Sequence, residues 1–306
     1  VVPKTGVAQY ACPGRACKGG GIAGQFLHQN EEIRPVDNRI RNKCKVVRLF
    51  PAALAALVAV ALLVPVAAVA DPLPFKPGER LMFRARWLFF DAGIIEASAS
   101  EIAPCGGSTC VTFALHTWTT NAIASIFRMD DHFESLWDVE KRLPKKLVTR
   151  VRETHTVRDK EMEFDHSAKS VVVSVNKDVP KKFDLNPLAQ DFFSASYFTR
   201  SLKLEPKNTV LVPVFEDNKN YDAAIQVIKK ERLPVLDGKV DTVMLMGRLR
   251  FEGAFQNSRS LYIWLSDDEY HIPVRLEISL LFGAITLDLV EATGVDLRII
   301  RENPKP

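Results

Sequence analysis

A mostly β fold, a large antiparallel sheet with one or two helices packed on it, is what this sequence predicts. Three observations carry the prediction. Residues 260–293 read as a meander of three strands, alternation of apolar and polar residues recurs from residue 79 to residue 251, and only residues 187–202 carry a long stripe at helical spacing. In the meander, residues 261–265 form an aromatic and β-branched strand, and Ser266-Asp267-Asp268-Glu269 turns the chain through short polar side chains that bond their own backbone. Pro273 lacks an N–H and suits the first position of the next strand, 274–280, where Val274, Leu276, Ile278 and Leu280 alternate with Arg275, Glu277 and Ser279. Gly283 ends that run, and residues 284–292 make the third strand. A lone meander is marginal in water, so further strands must flank it.

Taken from the front, residues 71–78 are an extended, proline-held approach. Residues 79–90 alternate as a strand, Asp91-Ala92-Gly93 reads as its turn, and residues 94–102 return with small residues, Ala97 and Ala99, on one face. Small side chains there leave room for something bulky. Cys105 and Cys110 flank Gly106-Gly107-Ser108-Thr109, a turn leading into a strand at 111–120. Paired strand ends can bring two Cα atoms within disulfide range, and a ring this small adds only about 2 kcal/mol by the chain-entropy argument. Asn121 is placed to cap a short helix over 122–129, after which strands resume at 132–138, 143–156, 161–165 and 170–175, with 180–186 as a crossing loop.

Pro187 suits a first helical turn with Asn186 as cap, and Leu188, Phe192, Ala195 and Phe198 follow at helical spacing. Residues 187–202 are therefore expected to be one helix laid over the sheet. Phe192 and Phe193 stand about 100° apart around a helix axis, so Phe192, Phe193 and Tyr197 cannot all meet the same surface. At least one is expected to face a cavity. Strands follow at 209–216, 221–231 and 239–251.

The first 70 residues read differently. Residues 1–38 lack periodicity and read as a disordered or upstream-translated segment. Residues 39–48 carry five basic side chains, residues 49–70 carry no charge, and the run closes on Ala68-Val69-Ala70. A basic stretch, an apolar stretch and a small-x-small end are the parts of a cleavable signal peptide, which predicts a periplasmic protein beginning at Asp71. The alternative is an inner-membrane anchor, since 22 uncharged residues at 1.5 Å each reach roughly 33 Å. The leader holds 9 of the 41 basic and 3 of the 37 acidic residues, which leaves 32 against 34 in residues 71–306. No basic footprint for nucleic acid remains. Residues 71–306 are expected to be a single β domain.

Two blocks carry a family resemblance. Pro74-Phe75-Lys76-Pro77-Gly78-Glu79-Arg80-Leu81, with Trp87 and Ala92-Gly93 beyond it, resembles the N-terminal signature of the bacterial family known as domain of unknown function 3108. Trp264-Leu265-Ser266-Asp267-Asp268, followed by Ile272-Pro273-Val274-Arg275, is similar to its C-terminal signature. The resemblance spans about residues 74–293 and brings no reaction with it. A looser similarity to periplasmic lipoprotein-localisation carriers implies a curved antiparallel half-barrel that holds acyl chains against a helix.

Motif chemistry is sparse. His116, His132, His155, His166 and His271 form no H-x3-H or H-E-x-x-H pair, and Asp130-Asp131-His132-x-Glu134 lacks a calcium-loop pattern and reads as a solvated turn. The sequence contains no G-x-S-x-G, Walker or C-x-x-C motif. No catalytic residue, metal or cofactor is assigned. The expected activity is binding or carriage of an apolar, lipid-like ligand, with Phe192, Phe193, Tyr197, Trp264 and Trp87 as the contacting residues. A non-enzymatic envelope scaffold or assembly partner with a filled core is the alternative.

Overall fold

A computed structural model describes residues 72–247, 260–279 and 283–301, so the expectations for residues 1–71 lie outside the described residues. The strands are β1 (Arg80–Trp87), β2 (Phe90–Ala99), β3 (Ala103–Cys105), β4 (Ser108–Thr119), β5 (Asp130–Asp138), β6 (Leu143–Glu153), β7 (Thr156–Asp165) and β8 (Ser170–Val175). They continue with β9 (Lys181–Asp184), β10 (Thr209–Glu216), β11 (Lys219–Val235), β12 (Gly238–Gly247), β13 (Leu261–Ser266), β14 (Pro273–Ser279) and β15 (Ala284–Thr293). Two short helices are α1 (Asn121–Ile126) and α2 (Ser194–Arg200). All strands join one antiparallel sheet in the order β10-β11-β12-β13-β14-β15-β1-β2-β4-β5-β6-β7-β8-β9, with β3 paired to β4. The meander predicted at the C-terminus is β13–β15, and β15 pairs back onto β1, where Trp87 lies opposite Ile285.

The sheet curls until its ends approach, but it does not close. Its terminal strands, β9 and β10, are not bonded to one another. Residues 185–201 fill the opening. Gln190 donates its N–H to Pro213 O at 2.8 Å and accepts from Phe215 N–H at 2.9 Å, both on the β10 edge. Its side chain reaches the other way, accepting from Trp137 Nε1 at 3.2 Å and donating to Arg142 O at 2.8 Å. One glutamine thus spans from β5 to β10 with its polar groups bonded. Beside it, the buried Lys160 ammonium of β7 meets Glu216 of β10 at 2.6 Å.

This segment corrects the expected helix over 187–202. Helix is confined to α2, because Leu188 adopts a left-handed φ of 61° and Gln190 gives its backbone to β10. The cap is Asp191 rather than Asn186: its Oδ1 accepts the N–H groups of Phe193 and Ser194, each at 2.8 Å. The helix ends are tied down as well. Arg200 makes a buried two-pronged pair with Glu79, at 2.6 and 2.8 Å, and donates through Nε to Tyr270 O.

Other boundaries move for local reasons. The first hairpin turns at Leu88 and Phe89, not at residues 91–93, with Leu88 at φ 57° and Trp87 opposite Phe90. Gly93 lies inside β2, where a Cβ would stand 2.3 Å from Trp118 O on β4. Helix α1 stops at Ile126, three residues short of expectation, because Met129 rejoins the sheet, its O accepting Thr119 N–H at 3.1 Å and its residue bridging to Glu153. The expected crossing loop contains β9, whose Lys181 and Lys182 pair with Val173 and Val172. A disulfide joins Cys105 to Cys110 with Cα atoms 5.8 Å apart. No helix among the described residues is long and apolar enough to cross a membrane.

Candidate functional site: an apolar interior cavity

Strand alternation gives the curled sheet a concave face, and that face is not filled. Leu81 and Phe83 of β1, Ala97 of β2 and Leu115 of β4 contribute to the wall of an interior cavity of about 280 Å³. The wall continues through β5–β7 and β10–β15, and α2 with the residues before it covers the opening. Small residues make the room: Ala97, Ala195, Ala223 and Gly247 all border the space, and a Cβ on Gly247 would meet nothing within 4 Å. Of the small side chains noted on the second strand of the first hairpin, Ala97 borders this space, whereas Ala99 is buried in the cluster with Phe75, Phe113 and Trp137.

Phe192, Phe193 and Tyr197 all border the cavity. Phe193 and Tyr197 are buried in a cluster with Phe75, Phe113 and Trp137, in which Tyr197 stacks flat on Phe113 with ring centres 3.8 Å apart. Phe192 is half-buried and meets Phe133 edge-on at 5.5 Å. It is the aromatic of the three least committed to the core. Trp264 and Trp87 are not on the wall. Leu261, Ile263 and Leu265 of β13 point inward, so alternation turns Trp264 outward, where its Nε1 donates to Glu231 at 2.7 Å. Trp87 stands at the exposed tip of the first hairpin beside Leu88, Phe89 and Phe90.

Five charged groups interrupt the apolar lining, Asp131, Glu153, Lys160, Arg200 and Glu216, beside the hydroxyls of Thr117, Thr149, Ser196 and Thr199. Sequence reading missed them because each sits in an otherwise ordinary strand or helix, and only the curl of the sheet brings them together. Asp131 accepts Arg152 N–H at 2.7 Å, and burial pushes its carboxyl up to about 6. Burial also raises Asp191, against the hydrogen bonds from Ser135, Ser194 and Phe193 that favour its charged form. The Tyr197 hydroxyl is raised by burial, then by the charge of Glu79. None of the described histidines lies on the cavity wall. A second depression, about 460 Å³ and more open, is lined by residues that include Lys141, Lys145, Phe164, His166 and Lys182.

Against known proteins, the family described as protein of unknown function DUF3108 matches residues 82–290. No curated protein matches. Among solved structures, a β-barrel-like protein of domain of unknown function DUF1849 from Brucella abortus aligns over 71% of this chain and 98% of its own, at 11% identity and TM-score 0.45. A protein with YmcC-like fold from Bacteroides fragilis aligns over 72% and 98%, at 6% identity and TM-score 0.34.

Proposed function

The chain belongs to the DUF3108 family, proteins of unknown function, and we propose that it binds and carries an apolar, lipid-like ligand in the interior of its sheet. One observation supports this above others, the unfilled interior. The space is lined predominantly by apolar side chains, which suits an apolar occupant. The volume lies near the lower end of small-molecule sites, roughly 300–1,000 Å³, which suits a single slender chain. Polar side chains on the wall, such as the hydroxyls of Thr117, Thr149 and Ser196, offer hydrogen bonds to its head.

The cell compartment proposed with this activity is the periplasm. Support comes from the signal-peptide pattern of residues 39–70 and from a Cys105–Cys110 disulfide, which persists in oxidising compartments.

The test is titration of the delipidated full chain with a fluorescent fatty acid, beside the variant Gly247→Leu. The new side chain enters open space, so thermal stability should hold or rise while affinity falls about tenfold or more, at least 1.4 kcal/mol. Wild-type protein that never shows saturable binding, or a variant that binds equally well, would sink the carrier reading. A second reading, docking on another envelope component, is favoured by the exposed apolar tip Leu88–Phe89–Phe90. Phe89→Ser should abolish retention on isolated envelopes under that reading and leave fatty-acid titration unchanged.

A further inference from the structure

On the outer face of the sheet, away from the cavity, the β4–β5 pairing brings His116 to Asp130 and His132, which are near neighbours in the sequence. His116 is the register partner of His132, and Trp118 is the partner of Asp130. Alternation explains the shared face: Leu115, Thr117, Asp131 and Phe133 line the cavity, so His116, Asp130 and His132 project outward. The His116 Nε2 lies 2.8 Å from Asp130 Oδ1, and the His132 Nε2 lies 3.4 Å from the same oxygen. One potential ligand atom from each residue falls within 4.8 Å of the other two. All three side chains are partly exposed, between 36% and 48%, so an ion from solvent reaches them without unfolding.

We propose that His116, Asp130 and His132 form a binding site for a late first-row transition-metal dication, Zn2+ or Cu2+. Two imidazoles and a carboxylate are the ligand types such ions take, with water completing the shell. Magnesium and calcium prefer all-oxygen shells and are not expected here. The imidazole rings lie nearly parallel, 13° apart with centres 3.9 Å from each other. Their nitrogen lone pairs therefore do not yet converge, and rotation about the soft terminal torsion of each histidine brings them onto one point. The Trp118 ring, 4.4 Å from His116, borders the site on one side.

Neighbouring charges are nearly balanced, which separates this site from a diffuse acidic patch. Glu96, across from His116 on β2, is held by Arg80 at 2.8 Å, and Glu134 faces Arg150 at 3.9 Å. Selection thus falls to the ligand atoms and not to bulk attraction. The histidines were visible in the sequence but 16 residues apart; only the β4–β5 register pairs them.

The experiment uses the tag-free full chain with free thiols alkylated, so that Cys12, Cys17 and Cys44 cannot compete. Calorimetric titration with ZnCl2 should show one tight equivalent, and substoichiometric CuCl2 should broaden the imidazole NMR signals of His116 and His132 first. The double variant His116→Ala/His132→Ala, whose fold is checked by circular dichroism, should weaken that equivalent by roughly 10–100-fold or more, and Asp130→Asn should weaken it less. Cu2+ that first broadens His28, His155, His166 or His271 would overturn the proposal. So would a double variant that titrates like the wild type, or a wild type that takes up no Zn2+.

Discussion

Asp131 shows how a single residue can set a pH dependence for the whole chain. Its carboxyl is buried at the cavity wall and shifted upward from 3.8 to about 6, chiefly by lost solvation. The folded state therefore binds this proton more tightly than the unfolded state. Between those two values, stability falls as pH rises, and above about 6 the whole deficit is present. Asp131→Asn keeps an oxygen for Arg152 N–H and removes the charge. The variant should match wild type near pH 4 and exceed it at pH 7.5, by on the order of 1–3 kcal/mol. Urea unfolding at the two pH values reads this directly, and an equal difference at both would count against it. The sequence marks this aspartate only as part of Asp130-Asp131-His132-x-Glu134, which reads as a solvated turn but is the start of β5, with Asp131 buried. Its inward orientation depends on strand register, and register is a property of two strands at once.

At the scale of elements, α2 depends on Asp191, three residues before its first turn. Asp191 is fully buried and accepts from Ser135 Oγ at 2.6 Å as well as from the two backbone N–H groups at the helix start. Asp191→Ala removes the cap and strands a buried hydroxyl. A lost cap costs about 0.5–2 kcal/mol and each stranded buried donor about 1–3 kcal/mol. A destabilisation of roughly 2–4 kcal/mol by denaturant unfolding is expected, and a loss below about 0.5 kcal/mol would show that the helix start is held by packing alone. Strands were far more legible than this helix. The predicted bounds of β10, β13, β14 and β15 hold to within a residue or so, β14 read from its alternation of apolar and polar residues and β13 from its aromatic and β-branched content. For residues 187–193 the same kind of pattern misled: Leu188 and Phe192 repeat at helical spacing, yet the backbone between them bonds to an edge strand. The two sequence blocks that carry the family resemblance prove architectural in placement. Glu79 of the first pairs with Arg200, and Arg200 bonds Tyr270 O within the second. Ser266 Oγ accepts Ile272 N–H at 2.8 Å, fixing the turn before β14.

Across the whole molecule, the curl is held by contacts between elements far apart in sheet order. The Lys160–Glu216 pair is the clearest, with both side chains 3% exposed. Removing one partner leaves a buried charge, so Lys160→Met alone should cost about 3–5 kcal/mol. Lys160→Met with Glu216→Leu should recover much of that, because an apolar pair of similar bulk avoids the desolvation cost. A double-mutant cycle by urea unfolding measures the coupling, and additive losses would show that the two groups act independently. Phe215 reinforces the same junction from β10 by packing among Leu147, Met162, Phe164, Val171 and Val173 of β6–β8. The interior that results could not be inferred from any one strand. Its volume is the difference between the circumference of the sheet and the bulk of the side chains inside it.

An unclosed sheet also has a direction in which it yields first. Along β4 and β5 every strand has a full ladder on both sides, whereas the junction at β10 has no strand-to-strand ladder and rests on the two backbone bonds of Gln190, the Lys160–Glu216 pair, the packing of Phe215 and the bonds of Asn220 to Asp184 O and Asn186 N–H. Thermal fluctuation should therefore part the molecule along that line, well before the ladder opposite it separates. In native-state deuterium exchange, the amides of Gln190 and Phe215 should be released through a partial opening of lower free energy than global unfolding. Those of Phe113 and Leu115 should wait for complete unfolding. The protein then resembles a cuff more than a can.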